Sequence, residues 1–277
     1  MTRPATEVAS GVLVMTSRRE ATTSTVIAAR GEGLVVDPAW DPDELEGVAG
    51  VLQAAGVRCA AGVATHEHYD HVLWHPSLPR VAHWATPWTV TRWLHHREEL
   101  LGPLVGDLPE SLLAEAGRVD AVPEAPRPAE RVPRQPYPRD AALPDPYPLP
   151  WRGREIILHE HDAHVRGHLA LEIVDADVLI AGDMLSDIEL PYPDEHDADL
   201  VPYLVGLDRL SDVVRRCRVL IPGHGSPTLD PLARLDADRR YLDAVLAGRE
   251  PNDPRLANPG MAQIHARNVE QARETLH

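Results

Sequence analysis

Six consecutive residues, His66-Glu67-His68-Tyr69-Asp70-His71, constrain this chain more than any other stretch. They read H-x-H-x-D-H, and all four marked side chains bind borderline-soft divalent metals. The run before them, Ala60-Ala61-Gly62-Val63-Ala64-Thr65, is small and apolar and predicts a buried strand. Potential ligands at a strand end, carried into a loop, sit where α/β folds place their chemistry. The plain alternative is a polar surface loop that happens to be rich in histidine.

Strand patterns fall at residues 8–15, 22–29 and 33–37, with Arg30-Gly31-Glu32-Gly33 marking a tight hairpin. Residues 42–55 predict a helix. Pro42 stands at its start, Asp43 and Glu44 in its first turn, Leu45, Val48, Val51 and Leu52 on one face and Gly56 at its end. A strand over 58–65 then leads into the histidine cluster. Residues 87–117 are helical in pieces, interrupted by Pro103 and Pro109. Ten prolines follow between Val122 and Pro150, which excludes helix and central strand and predicts an extended insertion. Strands resume at 154–159, 169–175 and 178–181. A helix with Leu204, Leu207, Leu210, Val213 and Val214 on one face follows, then the strand Val219-Leu220-Ile221, then amphipathic helices at 229–247 and 261–276.

Three further candidate ligands end apolar strands or lie in the loops beside them. These are His164 in Asp162-Ala163-His164, Asp183 after Val178-Leu179-Ile180-Ala181-Gly182, and His224 in Pro222-Gly223-His224-Gly225. Taken singly, each is an ordinary turn. Four separated segments that share one grammar of strand, small residue and ligand point to one metal centre.

The set His66, His68, Asp70, His71, His164, Asp183 and His224 resembles the metallo-β-lactamase-fold hydrolases over roughly residues 8–247. The resemblance implies an α/β four-layer αβ/βα sandwich, read here as a single domain over 1–277 with a Pro-rich insertion at 122–150 and a C-terminal helical extension at 248–277. It implies that His66, His68 and His164 hold one ion and Asp70, His71 and His224 a second, with Asp183 shared. Zinc, two ions per chain, is the expected cofactor; iron and manganese suit the same donors. By the same resemblance Asp37 and His168 support the site from behind, although Asp37 also reads as a helix-entry turn. Asp70 is the expected catalytic residue, orienting a metal-activated water or passing on its proton. Arg166, where the family often has Pro, is a candidate anchor for an anionic substrate group, and Trp74 a candidate pocket wall. Trp84, Trp88 and Trp93 follow near-helical spacing and read as core.

Within the family, Asp183 departs from secreted β-lactamases, which have Cys or no ligand there. Val72-Leu73 stands where glyoxalase II-like thioesterases have Gly-Gly, and Ser186 where quorum-signal lactonases have Tyr. The implied activity is that of the glyoxalase II and lactonase-like branch: hydrolysis of a small ester, lactone or thioester. A mononuclear-iron sulfur dioxygenase of the same fold and a non-catalytic relative are the alternatives.

Charge narrows the partners. The net charge is −16, and all 27 basic residues are Arg. No basic stripe exists to attract nucleic acid, so a small-molecule substrate is expected, with neither nucleic acid nor membrane as partner. Absence of Lys removes a Lys nucleophile. Cys59 and Cys217, the only cysteines, lie beside predicted strands and read as core. With no apolar run of signal-peptide length in Met1 to Glu20, a reducing, cytoplasmic setting is expected. The acidic run Asp194-Glu195-His196-Asp197-Ala198-Asp199 reads as a solvated loop.

Overall fold

The computed structural model describes residues 4–123, 143–194 and 200–275. Most of the Pro-rich insertion (124–142) and most of the acidic run (195–199) lie outside the described residues.

Two sheets face each other. The first has seven strands in chain order: β1 (Thr6–Ala9), β2 (Val12–Thr16), β3 (Thr23–Ala29), β4 (Glu32–Val36), β5 (Arg58–Val63), β6 (His83–Ala85) and β7 (Asp120–Ala121). It is antiparallel from β1 to β4 and parallel from β4 to β7. The second has the order β12-β11-β10-β9-β8, built from β8 (Tyr147–Pro148), β9 (Ile156–His161), β10 (His168–Ile173), β11 (Val178–Gly182) and β12 (Val219–Pro222). Only β11 and β12 pair in parallel there.

Period-two alternation sorts the side chains between layers. Val178 and Ile180 of β11 join Val12, Ile27, Leu34, Val36 and Val63 in the core between the sheets. Their neighbours Leu179 and Ala181 face outward against α4 (Leu200–Arg216) and α5 (Pro231–Leu246), together with α6 (Met261–Thr275). On the other side, α1 (Pro42–Ala54) covers the first sheet with Leu52 and Val48 against Met15, Val26 and Val35. Residues of α2 (Pro87–Leu101) and α3 (Glu110–Glu115) complete that layer around Trp93, Leu104 and Leu112. Helix, sheet, sheet, helix is the four-layer arrangement expected.

Local chemistry sets the helix starts. Asp41 and Glu44 form a capping box at α1 with Pro42 in the first turn. Thr86 caps α2, and its hydroxyl also donates to Gly167 O at 2.8 Å, tying that helix to the loop that carries His164.

The expected strand 8–15 is two strands. Ser10-Gly11 turns the chain, with Gly11 at φ +71° and its N–H donated to Glu7 Oε1 at 2.9 Å. A Cβ at Gly11 would lie 2.5 Å from Ala28 O, so only glycine allows β3 this close. At the far end of the Pro-rich insertion, Tyr147–Pro148 is a short edge strand, a place that tolerates the missing N–H of proline. Trp74 borders a cavity of about 520 Å³ with Trp93 and Arg97, one that none of the seven candidate ligands lines. Its ring is buried in the core under α1, against Gly62 and His83, because glycine at 62 leaves the space the indole fills.

Candidate metal centre

The loops at one end of both sheets converge. Residues 64–72 follow β5, His164 lies between β9 and β10, Asp183 follows β11 and His224 follows β12. The sheets are joined at this end by Thr23 N–H to Gly223 O (2.7 Å), Thr23 Oγ1 to Pro222 O (2.5 Å) and Leu169 N–H to Thr65 O (2.8 Å).

Seven of the expected ligands come together in two groups: His66, His68, His164 and Asp183, and beside them Asp70, His71 and His224. The carboxylate of Asp183 touches both. Its Oδ2 lies 3.4 Å from His66 Nε2, 3.3 Å from His164 Nε2 and 3.3 Å from His224 Nε2, while Oδ1 lies 3.1 Å from His71 Nε2. His68 Nδ1 is 3.1 Å from His66 Nε2 and 3.0 Å from His164 Nε2. Asp70 Oδ2 is 3.3 Å from His71 Nε2 and 3.4 Å from His224 Nε2.

The outward nitrogen of each imidazole assigns its tautomer. His164 Nδ1 donates to Tyr192 O at 2.5 Å and His224 Nδ1 to Glu20 O at 2.9 Å. His71 Nδ1 faces Asp37 Oδ2 at 3.0 Å. Thr65 Oγ1 gives its own proton to Asp37 Oδ2 (2.8 Å), so it accepts from His66 Nδ1 at 3.0 Å. His68 is reversed: its Nε2 faces Asp194 Oδ2 at 3.4 Å, leaving Nδ1 inward. In the neutral rings all five inward nitrogens are therefore the ones that offer lone pairs, and they face one another and carboxylate oxygens.

That arrangement fits a divalent cation. Acceptors facing acceptors repel, and the buried Asp183 Oδ1 has no hydrogen-bond donor among the described residues. Donors about 2.0–2.1 Å from a tetrahedral zinc stand about 3.3 Å apart, and the inward spacings here run from 3.0 to 3.4 Å. The titration behaviour agrees. Burial works against charge throughout, yet Asp183, Asp70 and Asp37 hold His71 well above the ordinary imidazole range, and Asp183 and Glu189 do the same for His224. Asp183 and Asp70 stay below the usual carboxylate range despite burial, because His71 and His224 face them. His66 falls well below its ordinary value and His164 to about 4, mainly through burial. The centre thus demands positive charge around Asp70, His71 and His224 and also at His68, which Asp194 and Asp183 push up against its burial, while burial keeps His66 and His164 neutral.

Asp37 is buried at φ +48° and holds the 64–72 loop, accepting Thr65 N–H at 2.8 Å in addition to the contacts above. His168 stacks on His66 (centroids 4.9 Å) and accepts the backbone N–H of Asp183 at 3.1 Å. Glu20 and Ala21 both adopt left-handed φ (56° and 51°) and present their carbonyls to His224 Nδ1 and Gly225 N. Such strain persists where surrounding contacts fix it. Ser186, at the position where lactonases have Tyr, donates to His224 O and accepts Ile188 N–H and Glu189 N–H, so it staples the loop. Arg166 lies over Trp88 at 4.9 Å.

Residue-by-residue reading missed Thr22, whose hydroxyl donates to Asp70 Oδ2 at 3.1 Å, and the supports from Glu20, Tyr192 and Asp194. Asp194, read as the start of a solvated run, faces His68 instead. A main-chain carbonyl leaves no side-chain signature. Thr65 stands directly before the first histidine of the motif and was the one support open to recognition.

Comparison with known proteins agrees with this architecture. The family described as the metallo-beta-lactamase superfamily matches residues 17–248. No curated protein matches the chain. Among solved structures, a metallo-beta-lactamase from Pontibacter korlensis is similar at 14% identity and a TM-score of 0.57, over 84% of this chain and 95% of that one. A metallo-beta-lactamase from Erythrobacter litoralis, solved with beta-mercaptoethanol in its active site, is 17% identical with a TM-score of 0.54, over 83% and 93%. The DIM-1 metallo-beta-lactamase exposed to ceftazidime is 15% identical with a TM-score of 0.52, over 85% and 94%. At these identities the likeness is one of fold.

Proposed function

Because the chain belongs to the metallo-beta-lactamase superfamily, we propose that it is a dinuclear zinc hydrolase of a small ester, lactone or thioester. One observation carries the reading: five inward imidazole nitrogens and the carboxylates of Asp70 and Asp183 converge in a buried cluster at the spacing of ligands around a metal. His66, His68 and His164 hold one ion, Asp70, His71 and His224 the other, and Asp183 both. When bound, two such ions supply a nucleophile from water at neutral pH and a Lewis acid for the acceptor oxygen.

The chain's own residues do the rest. Asp37, Thr65, Glu20 O, Tyr192 O and Asp194 fix the ring orientations, so no reorganisation is needed on binding. Asp70, whose Oδ2 accepts from Thr22, orients the attacking water or passes its proton on toward the leaving group. The acyl C–O or C–S bond breaks, the acyl carbon gains hydroxyl, and the leaving alcohol or thiol gains the proton. Arg166, two residues past His164, is assigned to an anionic group of the substrate. No Lys or Cys nucleophile is required; Cys59 and Cys217 are buried, and burial pushes both thiols up to about 11.

The test is elemental mass spectrometry on protein purified without chelator, with turnover on an ester, lactone and thioester panel. About two zinc ions per chain with hydrolysis is the expected result. Asp183→Ala and His66→Ala should each lose metal and turnover while keeping the fold. About one iron per chain with oxygen consumption on a persulfide would replace this reading with the dioxygenase.

A further inference from the structure

The segment after residue 248 lies beyond the part of the chain that matches the superfamily, yet it reaches the metal centre through one loop. That loop runs from Asp183 to Asp194. Arg255 is 5% exposed, and its Nη1 donates to Ser186 O (3.0 Å) and Glu189 O (2.9 Å) while pairing with Asp238 Oδ1 at 2.6 Å. Asn258 Nδ2 donates to Ile188 O at 2.7 Å. The buried Asn268 donates to Pro191 O at 2.7 Å and to Tyr241 OH at 3.1 Å. Arg267 donates to Tyr192 OH at 3.1 Å, and Met261 Sδ accepts Leu190 N–H at 3.2 Å. The loop held in this way ends on the two groups that orient one half of the centre, Tyr192 O on His164 and Asp194 on His68; Asp194 N–H also donates to His164 O at 2.7 Å.

The other half is oriented from the opposite end of the chain. His224 rests on Glu20 O, His71 on Asp37 and Asp70 on Thr22. Arg255 also reaches His224 through Ser186, whereas Arg267 and Asn268 hold Pro191 and Tyr192, whose carbonyl serves His164 alone.

We propose that the C-terminal segment is a clasp that sets metal affinity in the His68–His164 half of the centre, with Asn258, Arg267 and Asn268 as positioning residues. This rests on the dinuclear reading above. Outer contacts of this kind hold a ligand ring at its bonding angle, and their loss is felt as weakened binding without loss of any ligand.

The experiment titrates metal-free protein with zinc against a chromophoric chelator, for wild type, the Arg267→Ala/Asn268→Ala double variant, and Arg273→Ala as a control on an exposed site of the same helix. His164→Ala marks which of the two binding steps belongs to the clasped half. The double variant should weaken that step about 10-fold and leave the other unchanged, with Arg273→Ala like wild type. If the double variant does not fold, Asn258→Ala, at a half-buried position, is judged by the same criteria. Two normal steps in the variant, or equal weakening of both, overturn the clasp alone. A wild-type chain that binds no zinc overturns the dinuclear reading and the clasp with it.

Discussion

His168 Nε2 accepts the backbone N–H of Asp183 at 3.1 Å, so a residue that offers the centre no ligand fixes the peptide of the one carboxylate touching both groups. Gly182 makes this approach geometrically available: it sits at φ +56°, and a Cβ there would lie 2.4 Å from the His168 ring. His168→Leu should therefore weaken zinc binding roughly 10–100-fold while all seven proposed ligands remain. His168→Gln, which keeps an acceptor, should recover part of the loss. Competition titration reads both, and unchanged affinity in the leucine variant would show that Asp183 needs no such support.

Gly223 meets the same carboxylate from the other side. A Cβ there would stand 2.0 Å from Asp183 Oδ1 and 2.8 Å from the carbonyl carbon of Gly182. Gly223→Ala must push the carboxylate away or shift β12, at a cost of about 1–3 kcal/mol. The expected outcome is reduced metal content with the fold retained, measured by elemental analysis beside circular dichroism. Full metal occupancy in this variant would mean that Asp183 is not a shared ligand.

Metal removal should cost stability. Without a cation the inward imidazole nitrogens stand 3.1–3.4 Å from the buried carboxylates, and that negative charge must be met by protonating the rings. An ion that binds only the folded state stabilises by about 2.7 kcal/mol at a hundredfold excess over its dissociation constant. Added zinc should raise the melting temperature and a chelator should lower it, with Asp183→Ala indifferent to both. A wild-type melting temperature that ignores zinc and chelator alike would refute the cation-demanding description of the cluster.

The candidate ligands could be picked out because each is a local event, an apolar strand ending in a small residue and a donor, and the fold brings them together. His66, His164, Asp183 and His224 all obey that pattern, and the helices obeyed their periodicity. What orients the ligands was not legible. Tyr192 O and Glu20 O are main-chain atoms that lie 28 and 204 residues from the histidines they serve, so only the fold brings them near. Asp194 looked like any other acidic residue in a charged run. Trp74, read as a candidate pocket wall, illustrates the limit of the sequence: the space left by Gly62 draws the indole into the core, where it borders a cavity that none of the candidate ligands lines.

His83 supplies a prediction independent of the metal. It is 3% exposed on β6, tilted against Trp74, and neither ring nitrogen has a hydrogen-bond partner among the described residues. Burial alone pushes its imidazole down to about 3. In the unfolded chain an imidazole titrates near about 6.5, so below that pH the unfolded state binds a proton that the folded state refuses. The sign follows: stability conferred by neutral His83 is present above about pH 6.5 and is lost as pH falls from there toward about 3. One such group removes about 2 kcal/mol between pH 7 and pH 5. His83→Leu keeps an apolar side chain in the same place and removes the titration. Urea unfolding at pH 7 and pH 5 should show the variant losing about 2 kcal/mol less than wild type across that interval. An identical loss in both proteins would mean that His83 is protonated in the folded state, with a partner or water reaching its ring.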